Sequence, residues 1–490
     1  MVYTPNTGLI TSPFGVLAPL INDGTAQAII KRALQSELKY SMEFREMAKW
    51  PGAMGQSMTI PRERPIEWDE EEHVPGQDPV YKGQRYEEMT ARVSQFAVAS
   101  RVYMLEQAVV VRKNFATRWS GIGLAMAKKL NGARRRMLYS AYEGGHAIAN
   151  ATEGGGSVTL PVSTICGFTH HLDANGKLLP ISASNPKRIR IGTGDAAVYA
   201  NVVSVAAADA TVQFGRGVLT LAVATIFTMG DPVVALDASH RVYVNSSVSV
   251  DGITTSAWLT FAALRDALVY LEQDSIPRHE DGTYWVHLSP TAKAQLWADP
   301  EFQNLIRGGI ENPRVALGIL GTVNGFTFID NNLVPRNGNS PSGYQISRPV
   351  NFPKARLSKS FFNEVVNKNG HPITYTLITG GGVGMTHYLD PRDVNPENLD
   401  GGGPPIGANV IYGMDIQTET ASIVLDSNVR FLMATPRDDL RMWVPINGLF
   451  LGGFMVNSDY YGGSFSDSID LETAQNPRFK RGVTVVHYGS

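Results

Sequence analysis

Apolar residues recur every three or four positions over some stretches of this chain and alternate over many shorter ones, which separates helices from strands. Ile29, Ile30, Ala33, Leu34, Leu38 and Met42 share a helical face, with Thr25 as cap and Pro51-Gly52 as stop, predicting a helix over 26–50. The longest helical pattern covers 102–142, where Leu105, Val109, Ile122, Ala127, Leu130 and Leu138 approximate one apolar stripe weakened by Gly121, Gly123 and Gly132. Shorter helices are expected at 261–274 behind Thr260, with Leu264, Leu268 and Leu271 on one face, and at 291–296 after Ser289-Pro290.

Strand character appears at 58–64 and 87–99, which flank a charged tip and predict a long two-stranded excursion from the main body. Such a ribbon is marginal alone and needs something to lie on. Between 154 and 251 the character changes. Short β-branched runs at 157–160, 188–191, 198–205, 211–214, 218–226, 232–236 and 241–250 alternate with turn signals, reading as a small β-barrel or sandwich inserted into a larger domain. Further strands are expected at 282–288, 325–330, 373–378 and 483–487, with 422–425 and 430–434 as a pair. Residues 1–23 read equally as an extended arm or a frayed terminus.

Composition narrows the class. A chain of 490 residues holds two to four domains with real cores. A formal net charge of -2 supplies no global drive toward nucleic acid or an acidic membrane, and suits a protein that packs against copies of itself. The single cysteine, Cys166, excludes an intramolecular disulfide and an all-cysteine zinc site, which is compatible with a reducing cytosol. The first 15 residues lack the basic and apolar regions of a signal peptide, and no apolar run reaches about 18 residues, so a soluble protein is expected.

Charge is concentrated locally. Glu67, Asp69, Glu70, Glu71 and Glu72 place five acids within six residues, a group that cannot be buried unpaired. Lys128, Lys129, Arg134, Arg135 and Arg136 cluster on the long helical segment. That cluster reads as a solvated face, as the partner of an acidic loop on a neighbouring subunit, or as a contact for nucleic-acid phosphates. No aromatic interleaving accompanies it.

Catalytic patterns are weak. The loop Gly380, Gly381, Gly382, Val383, Gly384 lacks the lysine and Ser/Thr of a phosphate-binding loop and reads as a flexible turn. His170 and His171 are adjacent and point oppositely on a strand, and His146, His240, His279, His287, His371 and His387 have no metal-ligand spacing. No G-x-S-x-G elbow occurs. The expectation is no enzyme, no cofactor and no metal.

Three runs carry a resemblance: Gly282-Thr-Tyr-Trp-Val-His-Leu-Ser-Pro290, Leu296-Trp-Ala-Asp-Pro300 and Gly318-Ile-Leu-Gly-Thr-Val-Asn-Gly-Phe326. With Ser57-Met-Thr-Ile-Pro61 and Thr90-Ala-Arg-Val93, they resemble the major capsid proteins of tailed bacteriophages, particularly the group related to the N4-type coat protein. The resemblance covers about 26–142 and 260–330. It implies an α+β, Hong Kong 97-type (HK97-like) fold, with the β-rich insert outside the minimal pattern. The implied layout is an N-terminal arm and helix at 1–50, an E-loop at 51–100 and a P-domain spine helix at 101–153. The inserted β-domain follows at 154–251, an A-domain with parts of the P-domain at 252–450, and a P-domain return at 451–490.

By the same resemblance, subunits form pentamers and hexamers of an icosahedral shell around packaged double-stranded DNA. Assembly in the host cytoplasm would involve a scaffolding protein, a portal and a cement or decoration protein, with non-specific DNA contact inside and no membrane. A non-covalent shell is expected. The acidic run and the basic cluster would then meet between subunits, and Pro51, Gly52, Gly154, Gly155 and Gly156 would act as hinges during expansion. The rival readings are a glycan- or nucleic-acid-binding module carried by the insert, and a hydrolase with a spatially assembled site.

Overall fold

A computed structural model describes residues 39–40, 42–46, 57–63, 86–103, 113–165, 167–172, 178–208, 216–247, 249–308, 321–332, 334, 371–388, 421–424, 430–433, 443–456 and 481–489. In chain order the strands begin with β1 (Phe44–Glu46), β2 (Ser57–Glu63), β3 (Tyr86–Arg92) and β4 (Ser94–Tyr103), followed by helix α1 (Lys113–Glu143). Next come β5 (His146–Ile148), β6 (Glu153–Val162), β7 (His170–Leu172), β8 (Leu178–Pro180), β9 (Lys187–Ile191), β10 (Val198–Ala207), β11 (Gly217–Phe227), β12 (Pro232–Ala235) and β13 (Arg241–Tyr243). The third group is α2 (Phe261–Gln273), β14 (Tyr284–Leu288), α3 (Pro290–Ala298), α4 (Pro300–Gly308), β15 (Thr322–Val323) and β16 (Phe326–Asp330). The last is β17 (Ile373–Thr379), β18 (Gly384–Tyr388), β19 (Ala421–Val424), β20 (Arg430–Met433), β21 (Trp443–Val456) and β22 (Gly482–Tyr488).

The chain divides into two units. Unit 1 comprises Met1–Met58, Thr90–Arg135 and Met385–Met455, and unit 2 comprises Thr59–Met89, Arg136–Gly384 and Val456–Ser490. Unit 1 is organised on a sheet ordered β1-β18-β21-β20-β19, with β4 also paired to β21. The β4–β21 ladder is antiparallel from Tyr103↔Trp443 to Ser94↔Gly452. Phe450 and Phe454 stack at 5.8 Å, and Phe96 and Phe44 lie 5.8 and 5.7 Å from Phe454. These apolar rings supply the kind of large buried area that holds such a core.

Unit 2 contains two six-stranded sheets. One is ordered β13-β22-β17-β14-β16-β15 and is mixed: β13 runs parallel to β22 and β14 parallel to β16. Every residue of β17 is buried, as expected for a central strand covered on both faces. Helix α2 packs on β22 and β13 through Phe261, Ala263, Leu264, Ala267 and Leu271, whose spacing gives one apolar stripe. Thr260 accepts from the Ala263 N–H at its start. At α3, Ser289 accepts from the Ala292 N–H while Pro290 takes the first helical position, where a missing N–H costs nothing. Asp299 separates α3 from α4 and accepts from the N–H groups of Phe261 and Glu301.

The other sheet is antiparallel and ordered β5-β12-β9-β10-β11-β6. Its two ends meet. Ala149 bridges Val162, the Ser163 N–H donates to Ile148 O at 3.0 Å, and the Asn150 N–H donates to Pro161 O at 2.9 Å. The sheet therefore closes around its own core of Leu160, Val162, Phe168, Ile189, Val202, Leu219, Phe227 and Val233. Closure removes exposed edges.

Several expectations change. The predicted helix over 26–50 lies mostly outside the described residues, and where described it contains strand β1, paired to β18. Tertiary pairing overrides helical spacing there. The long helix begins at Lys113 rather than at 102, because Val102 and Tyr103 continue β4 along β21. The closed sheet spans His146 to Ala235, and the run expected at 241–250 joins the other sheet as β13. Helix α4 and strand β18 were not anticipated. The glycine-rich turn is closely packed: the Gly381 N–H donates to Pro277 O, and a Cβ at Gly380 would clash with Ile276 and Pro277.

Candidate functional site

The basic cluster of α1 splits in three dimensions. Lys128 and Lys129 are exposed, and Lys129 Nζ donates to the Ala97 carbonyl of β4. Arg134 is 4% exposed and turns inward. Its guanidinium carbon stands 4.9 Å from the Phe454 ring centre and 5.9 Å from that of Phe44. Burial lowers its pKa to about 10, which leaves it charged at neutral pH. Among the described residues its Nε and Nη1 have no hydrogen-bond acceptor. Aromatic faces supply part of what solvent would have given. The expectation of a five-member surface cluster is thus corrected at Arg134.

The reason lies in helical spacing. Arg134 falls four residues after Leu130, seven after Ala127 and four before Leu138, all buried, so it occupies the apolar stripe. Charge made it look like a surface residue, whereas period placed it inside. Arg135 is half-buried, and the side chain of Arg136 lies outside the described set. The acids Glu67, Asp69, Glu70, Glu71 and Glu72, with Pro51 and Gly52, also lie outside the described residues.

The other proposed hinge residues are located. Gly154, Gly155 and Gly156 belong to strand β6, in an irregular stretch of its ladder with β11 between Phe227↔Glu153 and Thr225↔Ser157. All three therefore lie within a strand of the closed sheet. Gly156 alone has a left-handed backbone, φ +83°, which a side chain would strain.

A buried charged group that the sequence did not single out sits beside the closed sheet. Lys187 Nζ donates to Asp237 Oδ2 at 2.6 Å and to the His170 carbonyl at 3.3 Å. His171 Nδ1 lies 3.8 Å from the same carboxylate, too far for a hydrogen bond. Burial alone would raise the Asp237 pKa, but the Lys187 charge and the nearby His171 outweigh it, holding it at about 2. Asn185 Nδ2 donates to the His171 carbonyl, tying the β7–β8 hairpin to this group. His170 and His171 do differ: His171 is buried and His170 half-buried, its pKa lowered by desolvation and by Lys187. Only the 50-residue separation of Lys187 and Asp237 hid this pair from a sequence reading.

Among the described residues no group of three His, Cys, Asp or Glu side chains could hold a metal ion. No helix among them is long and apolar enough to cross a membrane.

No family model and no curated protein matches the chain. Its fold is similar to solved structures of phage heads. The Ralstonia phage GP4 capsid matches at 11% identity and a TM-score of 0.45, covering 91% of this chain and 87% of that one. The cyanophage Pam1 capsid asymmetric unit matches at 9% and 0.45, covering 92% of each chain. The cyanophage P-SCSP1u capsid matches at 11% and 0.42, with 92% and 88% covered.

Proposed function

We propose that this chain is the major capsid subunit of a tailed bacteriophage, a non-enzymatic protein that self-assembles into the pentamers and hexamers of an icosahedral shell around packaged DNA. The observation that carries the reading is the β2–β3 ribbon: its two strands pair with each other in a sheet of their own. Two strands alone are marginally stable in water, so such a ribbon calls for a surface to lie on. A neighbouring copy supplies one.

Three further features support the reading. Helix α1, 31 residues long, spans about 46 Å and suits a spine. The segment carrying the sequence resemblance folds as one core, in which strand β14 leads through Ser289-Pro290 into the short helix α3 and the chain later returns as β16. The closed sheet, with its own core, fits an inserted β-barrel whose first and last strands along the chain, β5 and β12, pair with each other. Hinge roles for Pro51-Gly52 and scaffold, portal and cement partners remain part of this proposal. So does a contact of Lys128, Lys129 and Arg135 with a neighbouring copy.

Expression of the full chain followed by negative-stain electron microscopy tests it. Closed shells, tubes or rings are the expected products. A protein that stays monomeric across concentration, salt and crowding would overturn the reading.

A further inference from the structure

Strand β9 reads Lys187-Arg188-Ile189-Arg190-Ile191 and buries every second residue. Lys187, Ile189 and Ile191 enter the interior, while Arg188 and Arg190 stand on the outer face of the closed sheet. Beside them β10 places Tyr199 opposite Arg190 and Asn201 opposite Arg188, and β12 places Val234 opposite Arg190 on the other side. Tyr199 is 40% exposed, and the Arg188 guanidinium carbon lies 5.9 Å from its ring centre. That contact crosses the ladder diagonally and holds Arg188 in place.

The two guanidinium groups are poorly matched by their surroundings. Among the described residues neither has a carboxylate within 4.0 Å. Arg190 Nε is buried and, among those residues, has no hydrogen-bond acceptor. Donors desolvated without an acceptor are costly, and a carboxylate is the acceptor that suits a guanidinium fork.

The spacing selects the partner. Alternate residues of a strand lie about 6.7 Å apart. An extended peptide with acids at alternate positions presents carboxylates at the same interval. Single-stranded nucleic acid fits less well, because Arg188 covers the Tyr199 face that a base would stack on. The densest acidic run of this chain carries the alternate pattern twice, as Glu67, Asp69 and Glu71 and as Glu70 and Glu72. With Arg134 withdrawn into the interior of unit 1, α1 offers that run fewer cations than its sequence promised.

We propose that the outer face of β9 and β10, centred on Arg188 and Arg190, binds the acidic run 67–72 of a second copy of this chain. The inference rests on the reading of the protein as a self-assembling subunit, and makes the closed sheet a receptor for the neighbour's acidic run.

Charge reversal in the full-length chain tests it. R188E/R190E and E70R/E72R are prepared separately and together, with K128E/K129E as a rival site. The assembled fraction in sedimentation velocity should fall at least about tenfold for each of the first two and recover to within about threefold in the combination. In parallel, a peptide of residues 64–76 is titrated against unassembled full-length chain. Its binding should weaken with salt and disappear in R188Q/R190Q, which retains the side-chain bulk. This arm decides the matter if a reversed variant does not fold, or if the parent chain never assembles and the capsid reading falls. The proposal is overturned if R188E/R190E assembles like the parent, or if the peptide binds R188Q/R190Q unchanged. Rescue of K128E/K129E by E70R/E72R, or preference of the arginine pair for a deoxythymidine oligonucleotide over the peptide, overturns it too.

Discussion

Asp237 and Lys187 meet at 2.6 Å with almost no solvent around either, and their value depends on both being present. Removing one partner strands a charge in the interior, whereas replacing both by apolar groups of similar size avoids that cost. D237N is therefore expected to destabilise unit 2 by about 3–5 kcal/mol, and D237L/K187M to recover most of that loss. Urea denaturation followed by far-UV circular dichroism measures both. Arg134 teaches a related lesson. Its position between Leu130 and Leu138 was legible from helical period, but the aromatic cage of Phe44 and Phe454 was not, because those rings arrive from strands 90 positions before and 320 after it. Lys187 was equally readable as an inward position, since it alternates with Ile189 and Ile191, yet its carboxylate comes from a distant turn.

Capping chemistry sets the elements more locally. Ser289 satisfies the Ala292 N–H at the start of α3, and its loss leaves a buried donor without that partner. S289A should cost about 1 kcal/mol or somewhat more, read as a lower midpoint in the same urea titration, while S289D should retain much of the cap. The helix α2, its Thr260 cap, and strands β14, β16, β17 and β22 were all legible, because each combines a strong period with turn signals on its flanks. Two of the misread elements are strands of three residues. β1 has three residues and exists through its pairing with β18, and β13 through its parallel pairing with β22. Three residues carry too little pattern to declare a period, so partners decide their conformation.

For the molecule as a whole, acid should act through unit 2, which holds His487 and Asp237, two described groups whose pKa is lowered into the acid range. His487 donates from Nδ1 to the Tyr488 carbonyl and accepts at Nε2 from the Thr376 hydroxyl, so the ring is held neutral. Burial lowers its pKa from 6.5 to about 4, against a small opposing effect of the Tyr488 carbonyl. The unfolded chain takes up this proton first. Its contribution is therefore complete above pH 6.5 and is lost as pH falls toward 4, amounting to roughly 3 kcal/mol. Asp237, held at about 2 against an ordinary 3.8, adds a further loss of roughly 2 kcal/mol below pH 3.8. Thermal melts between pH 7.5 and 3 should show a falling midpoint that flattens in H487Q from pH 6.5 to 4; an unchanged slope would refute the His487 assignment.

Sequence alone determined what depends on near neighbours: the periods of the long helix and the central strands, and the Thr260 and Ser289 caps. Tertiary structure decided what depends on residues far apart in the chain. It closed the β5–β6 sheet, gave β13 to another sheet, withdrew Arg134 from the surface and left Arg188 and Arg190 facing outward. The physical reason is range. Backbone period and capping act within a few residues, whereas strand partners and counter-charges are chosen only when the whole chain has collapsed around them.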